Sequence, residues 1–134
     1  MGRLLGLDYG TKRVGVAISD SSRTIATPYA VLPAERAVDL VAEILASEDI
    51  DALVVGLPVN LSGDEGASAT AARRFADALR TGTGLEVHLV DERFTTKVAE
   101  DALIAGGVRR SKRRDIRDKM AATVMLQGHL DSLR

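Results

Sequence analysis

The sequence predicts an α/β fold: a mixed five-stranded sheet, made of a three-strand antiparallel meander plus two parallel strands, flanked by helices. Five apolar segments have strand length, and segments with helical spacing separate the later ones, giving the order βββαβαβαα. Glycine or proline marks most boundaries. Because 134 residues suit one domain, we expect residues 1–134 to form a single one.

The first three strands are predicted to be consecutive and antiparallel. Residues 3–8 form an apolar run, and after a turn around Gly10 the branched residues Val14, Val16 and Ile18 alternate with small ones over residues 13–19. Residues 24–31 are a weaker strand that contains Pro28. Because proline cannot donate a ladder hydrogen bond, we expect this third strand at an edge of the sheet.

Helices and strands alternate in the rest of the chain. We predict a helix at about 34–48, a strand at 52–57, a helix through Phe75 and Leu79 that ends before Gly82, a strand at 85–90, a short helix from Thr96 to Gly106, and a last helix at about 115–132. Strand–helix–strand crossovers make neighbouring strands parallel. The first, fourth and fifth strands should therefore be parallel, with the second and third beside the first.

Acidic residues stand where the parallel strands end. Asp8 closes the first strand, and Asp91 and Glu92 close the fifth. The loop of residues 58–66 follows the fourth. Binding sites of open α/β sheets form beyond the carboxyl ends of parallel strands, so these segments should meet at one edge.

The last predicted helix adds a further acid. Asp118, Ala121, Ala122 and Met125 are spaced to share one helix face, and the alanines allow close packing on the sheet. Asp118 is then either a site residue or an acid near the helix N-terminus that complements the helix dipole. Asp115 competes for that second role.

Converging carboxylates predict a divalent cation, because several cannot stay ionised together at low cost without one. Oxygen ligands without cysteine suit Mg²⁺ or Mn²⁺. Two such ions can activate water and stabilise the oxygens of a phosphodiester displacement. His88 lies inside the fifth predicted strand and His129 near the end of the last helix, so we expect neither to be catalytic.

Positive charge is concentrated in one segment. The chain carries a net charge of −1, yet residues 109–119 hold seven Lys or Arg against two Asp. The segment is either a phosphate-binding patch or a solvated loop without a specific role. Absence of cysteine, of a signal-like leader and of a long apolar run predicts a cytoplasmic protein without membrane contact.

Four segments together resemble the YqgF/RuvX family: "GLDYGTKRVGVAISD", "GLPVNLSGDEG", "DERFTT" and "DKMAATVMLQGHLD". They occur in this order across residues 6–131. The resemblance implies a ribonuclease H-like fold related to Holliday junction resolvases. It also implies a nuclease that matures the 5′ end of pre-16S rRNA, with a junction-resolvase role in some members. On the matching positions, the catalytic and metal-binding acids are Asp8, Glu92 and Asp118.

The same resemblance, together with the charge pattern, predicts phosphate and substrate contacts. The candidates are Thr11, Lys12, Asn60, Arg93, Arg109, Arg110, Lys112, Arg113 and Arg114. Such contacts give affinity without sequence information, so specificity must come from substrate shape or from a partner such as a ribosomal precursor particle. The expected substrates are structured RNA or branched DNA, and the expected state is a monomer or a homodimer.

Three alternatives stay open at the level of sequence. DNA junction cleavage would favour a dimer, since a junction has a two-fold axis. The turn Asp8-Tyr9-Gly10-Thr11 also matches the opening of actin-like and sugar-kinase ATPases, which bind ATP between two such domains. A non-catalytic RNA-binding module is disfavoured, because carboxylates facing a phosphate without a metal would repel it.

Overall fold

The computed structural model describes residues 2–58, 66–91 and 110–133, with the side chains of the last range from Ile116 onward. Within these ranges the elements are β1 (Arg3–Tyr9), β2 (Arg13–Ser19), β3 (Ala26–Pro33), α1 (Ala37–Ser47), β4 (Ile50–Leu57), α2 (Ala67–Thr83), β5 (Glu86–Asp91) and α3 (Arg110–Ser132). A short 3-10 turn at Ala34–Arg36 leads into α1.

The strands form one mixed sheet in the order β3-β2-β1-β4-β5. β1 pairs antiparallel with β2 and parallel with β4, while β2 pairs antiparallel with β3 and β4 parallel with β5. The predicted topology is therefore confirmed, including the edge position of the strand that contains Pro28. Pro28 lies opposite Ala17, next to a shift in the β2–β3 register.

The two faces of the sheet carry separate hydrophobic clusters, because successive strand residues point to opposite sides. Leu5 and Leu7 of β1 belong to the cluster shared with α1 and α2. Leu4 belongs to the cluster shared with α3. The α3 side of the second cluster consists of Ala122, Met125, Leu126 and Leu130. Helix α3 thus covers one face by itself within the described part of the chain.

Two features fix α3 against this face. At Gly6 an added Cβ would stand only 2.9 Å from Cβ of Leu126, so the missing side chain lets the helix approach. Gln127 anchors the second half of the helix to the start of β3. Its Nε2 donates to the Thr24 carbonyl at 2.9 Å, and its Oε1 accepts from the Ala26 amide at 2.9 Å.

Most element boundaries differ from the predicted ones by one to three residues, and three differences are described here: those of α2, β3 and α3. α2 continues through Gly82 to Thr83 and ends at Gly84, whose φ of 71° is the left-handed conformation that glycine adopts at helix ends. β3 lies two residues later than predicted. α3 begins at Arg110 rather than near residue 115. The predicted helix from Thr96 to Gly106 lies outside the described residues. Among the helices that are described, none is long and apolar enough to span a membrane.

Candidate active site

Asp8 lies near the carboxyl end of β1, on the sheet face that α3 covers. Alternation places Leu4, Gly6 and Asp8 on the same side of β1, and Gly6 faces Leu126 of α3. Asp8 is half-buried and is the register partner of Gly15 on β2. Asp8 is paired with β2 and directly follows Leu7, the last residue of β1 that pairs with β4, so its backbone is held at the end of a central strand.

Gly15 brings Asp118 to this same place. A Cβ atom at Gly15 would overlap the backbone of Asp118, mainly its carbonyl oxygen. The turn of α3 that carries Asp118 therefore rests on the strand next to Asp8. Glycine is required here because any side chain would push the helix off the sheet. The structure thus brings together two of the three predicted acids, which are 110 positions apart in sequence.

The position of Asp118 within α3 removes the alternative structural role considered for it. The helix begins at Arg110, so Asp118 is more than two turns inside it. Because the helix dipole acts within the first turn, Asp118 does not serve as an acid at the N-terminus. The same early start places Arg110, Lys112, Arg113 and Arg114 on a helical backbone, so the interpretation of this segment as a solvated loop is wrong for these residues.

Arg13 is a residue that the sequence patterns did not single out. Its Nε donates to Oδ2 of Asp118 at 2.7 Å. The two side chains are 29% and 18% exposed, so the ion pair is half-buried between β2 and α3. Arg13 lies on the same sheet face as Gly15, because side chains alternate between the two faces along a strand. That shared face is the one sequence signal that could have pointed to Arg13.

The end of β5 is the third strand end of the predicted site. Val90 packs in the cluster under α3, whereas Leu89 packs against the cluster on the other face. Asp91 closes the strand, is exposed, and lines a recess with Val90 and residues of α3 such as His129. Glu92 follows directly and lies outside the described residues, as do Asn60, Arg93 and Arg109. Their predicted roles therefore stay predictions.

Thr11 and Lys12 are exposed in the turn between β1 and β2. The Gly10 amide donates to the Arg13 carbonyl at 2.9 Å and closes this turn, while the Lys12 carbonyl accepts from the Ala34 amide. Thr11 and Lys12 line a recess of about 250 Å³ together with Glu35. The turn thus has a fixed backbone with solvent-facing polar side chains.

The donor set at this site fits a hard divalent cation. Asp8 and Asp118 offer carboxylate oxygens on one face, and oxygen is the ligand type that Mg²⁺ and Mn²⁺ prefer. The described residues alone contain no group of three His, Cys, Asp or Glu that could hold a metal ion. The third predicted ligand, Glu92, belongs to the part that is not described.

The two histidines lie together, away from the acids. His88 of β5 and His129 of α3 stack with ring centroids 6.0 Å apart. Burial, and then the charge of His88, lower the pKa of His129 below its ordinary value. His88 Nε2 is 3.6 Å from Oε1 of Glu86. That the histidines are not catalytic stays a prediction.

Comparison with known proteins relates the chain to nucleases. Residues 2–132 match the model of a family described as "RuvX: Holliday junction resolvase". A protein of Bacillus cytotoxicus is 47% identical over 135 residues, covering 97% of this chain and 98% of the relative. A protein of Bacillus thuringiensis strain Al Hakam is 44% identical with the same coverage. Both carry the provisional name of pre-16S rRNA nuclease.

Solved resolvase structures share the fold. Thermus thermophilus RuvC in complex with a Holliday junction superposes with a TM-score of 0.59 at 16% identity, covering 99% of this chain and 96% of RuvC. Fowlpox virus resolvase with its junction DNA superposes with a TM-score of 0.53 at 14% identity, covering 98% of both chains. The mixed sheet and its flanking helices are therefore a ribonuclease H-like fold.

Proposed function

The chain belongs to the RuvX family, and on this basis we propose that it is a divalent-metal-dependent nuclease that processes the 5′ end of pre-16S rRNA. It would hydrolyse phosphodiester bonds of structured RNA, in the cytoplasm, during ribosome biogenesis. The proposal takes residues 1–134 as a single nuclease domain. Ribosomal precursor particles are the proposed partners, with the enzyme a monomer or a homodimer.

One observation carries the proposal: Asp8 and the Asp118 turn of α3 meet on one face of the sheet, because Gly15 lacks a side chain. Acids brought together from a central strand and a distant helix have a cost in mutual repulsion. A bound cation offsets that cost. The proposed metal ligands and catalytic residues are Asp8, Glu92 and Asp118.

Each group of residues has its own part in the proposed reaction. When bound, Mg²⁺ or Mn²⁺ supplies Lewis-acid stabilisation of the attacking and leaving oxygens. The three acids would hold the ions at the end of the sheet. A set of basic and neutral polar residues would bind the phosphates of the substrate and orient the strand to be cut. Those residues are Thr11, Lys12, Asn60, Arg93, Arg109, Arg110, Lys112, Arg113 and Arg114.

A side-by-side cleavage assay tests the proposal. Purified protein with Mn²⁺ is offered precursor rRNA and, in parallel, a four-way DNA junction, with Asp8→Asn as the control. We expect the precursor to be cut at the 5′ end by the wild-type protein only. Equal cleavage by Asp8→Asn would show that the activity comes from another site or from a contaminant.

Metal exchange tests the cofactor separately. Mg²⁺ or Mn²⁺ should support cleavage, and a chelator should stop it. Ca²⁺ prefers longer bonds and looser geometry, so it should allow substrate binding without turnover. Full activity in excess chelator would end the proposal of a metal-dependent site.

Junction resolution is the second candidate function, because the matching family is described by that activity. A resolvase must cut two strands related by a two-fold axis, which favours a dimer. Faster cleavage of the four-way junction than of precursor rRNA, together with a dimer in sedimentation, would favour this function.

A further inference from the structure

We infer that Arg13 is a positioning residue of the nuclease site, which fixes one carboxylate oxygen of Asp118 and leaves the other oriented for a metal ion. The inference rests on the proposed function, because it assumes that Asp118 is a metal ligand. It concerns a residue outside the predicted set of site residues.

The contact has the geometry of a strong hydrogen bond. Nε of Arg13 is 2.7 Å from Oδ2 of Asp118, which is short for a bond between nitrogen and an ionised oxygen. Asp118 is 18% exposed and Arg13 29%, so solvent competes little for either group. The contact joins residues 105 positions apart and therefore ties β2 to α3 directly.

The two oxygens of Asp118 have different surroundings. Oδ2 receives the bond from Arg13 Nε, while Nε of the neighbouring Arg117 is 4.0 Å from Oδ1. That distance is beyond hydrogen-bond range. Among the described residues, Oδ1 thus keeps its lone pairs for a ligand. Ligating carboxylates are typically oriented by such a hydrogen bond to one oxygen.

Both ends of the contact are held by backbone. Gly15 seats the helix turn that carries Asp118. Arg13 begins β2, and its carbonyl accepts from the Gly10 amide in the turn that follows the Asp8 strand. Arg13 therefore links the rigid turn beside one predicted ligand to the side chain of another. An exposed ion pair that only balances charge is not held in one geometry by the backbone on both sides in this way.

Arg13→Lys separates orientation from charge, because it keeps the positive charge and loses the planar guanidinium with its Nε donor. We expect the variant protein, free of nucleic acid, to bind Mn²⁺ about tenfold more weakly in calorimetry. We expect kcat to fall by about 10- to 100-fold with little change in KM, because the substrate-binding residues are intact.

Arg3→Lys is the matched control. Arg3 also begins a strand and also pairs with one carboxylate oxygen, that of Glu48, at 2.9 Å. It lies at the opposite end of β1 from Asp8. Mn²⁺ affinity and kcat should be those of the wild type. If Arg13→Lys also matches the wild type in both measurements, Arg13 only balances charge and the inference is wrong.

A measurement on the wild-type protein is independent of any effect of the substitution on folding. The Nε–H of Arg13 gives an NMR signal whose shift reports its hydrogen bond. We expect the bond to persist when Mg²⁺ is added. Release of Arg13 on Mg²⁺ binding would overturn the inference, since Arg13 would then be a counter-ion that the metal displaces.

The failure of the inference can be told apart from failure of the proposed function. If the wild-type protein neither binds Mn²⁺ nor cleaves nucleic acid, the proposed function is wrong. If it does both and Arg13→Lys equals it, only the role of Arg13 is wrong. In an Asp118→Asn background, Arg13→Lys should cause no further loss of Mn²⁺ affinity, because the oriented ligand is already absent.

Discussion

The backbone of Asp118 rests directly on Gly15, and Gly15 is the register partner of Asp8. One small residue in β2 therefore sets the position of α3 relative to the end of β1. Since the contact is backbone against strand, no rotamer change can relieve a clash there. The geometry of the candidate site and the packing of α3 depend on the same missing side chain.

Gly15→Ala should accordingly lower both stability and cleavage. The added methyl group pushes α3 outward, which costs about 1–3 kcal/mol of unfolding free energy as overpacking does elsewhere. Gly128→Ala is the control, since a Cβ there meets no atom within 4 Å. In that helical position alanine should raise stability by up to about 1 kcal/mol. Urea unfolding and initial cleavage rates measure the two effects. A fully active Gly15→Ala protein would show that α3 need not lie this close.

The acids are tested by neutral substitution. Asp8→Asn, Glu92→Gln and Asp118→Asn should each remove nearly all cleavage. Mn²⁺ should raise the melting temperature of the wild type more than that of any of the three, because binding to the folded state adds stability by mass action. Asp91→Asn is the matched control and should lose less activity, since neighbouring side chains leave a strand on opposite sides and Asp91 and Glu92 should not both face the metal. Full activity of Asp118→Asn would contradict the assignment of the helix acid.

Because α3 begins at Arg110, the residues of the basic segment can be compared according to the helix face on which they lie. Positions 110, 114 and 118 are four apart and share one helix face, whereas 112 lies on the opposite face and 113 at the border between the two. The double variant Arg110→Ala/Arg114→Ala should weaken RNA binding and flatten its salt dependence more than Lys112→Ala/Arg113→Ala. Both variants lose two positive charges, so net charge cancels in the comparison. Filter binding over a salt series measures the slopes. Equal slopes would point to a nonspecific charge effect.

A fall in pH should lower the free energy of unfolding through protonation of His129. Burial and the charge of His88 lower the pKa of His129, so the folded protein binds a proton less readily than the unfolded chain. Stability is then complete above the ordinary histidine pKa of about 6.5 and declines as pH falls below it. His129→Gln should reduce the loss of unfolding free energy between pH 7.5 and pH 5.5, measured by urea titration. An unchanged loss would assign it to other groups.

Sequence alone predicts the sheet well, because its strands are buried apolar runs whose signal is local. The predicted span of residues 13–19 matches β2, and the crossover rule gives the parallel order of β1, β4 and β5. The start of α3 was misplaced by five residues. Its first turn is basic and has no apolar stripe, and helix detection from sequence relies on that stripe.

The candidate site was predictable where it follows from topology and unpredictable where it depends on a distant contact. Asp8 stands at a strand end and Asp118 on a helix face beside two alanines, both of which are local signals. Arg13 became visible only through its bond to Asp118 across 105 positions. The role of Gly15 likewise depends on which helix turn lies above it.

Helix α3 carries a predicted catalytic acid and also seals one face of the sheet. When this helix detaches in a partial unfolding event, Asp118 leaves the site together with Leu126 and Leu130. We therefore expect a copy of the chain in which α3 is not docked to be inactive as a nuclease, because docking of α3 both buries this face of the sheet and brings Asp118 next to Asp8.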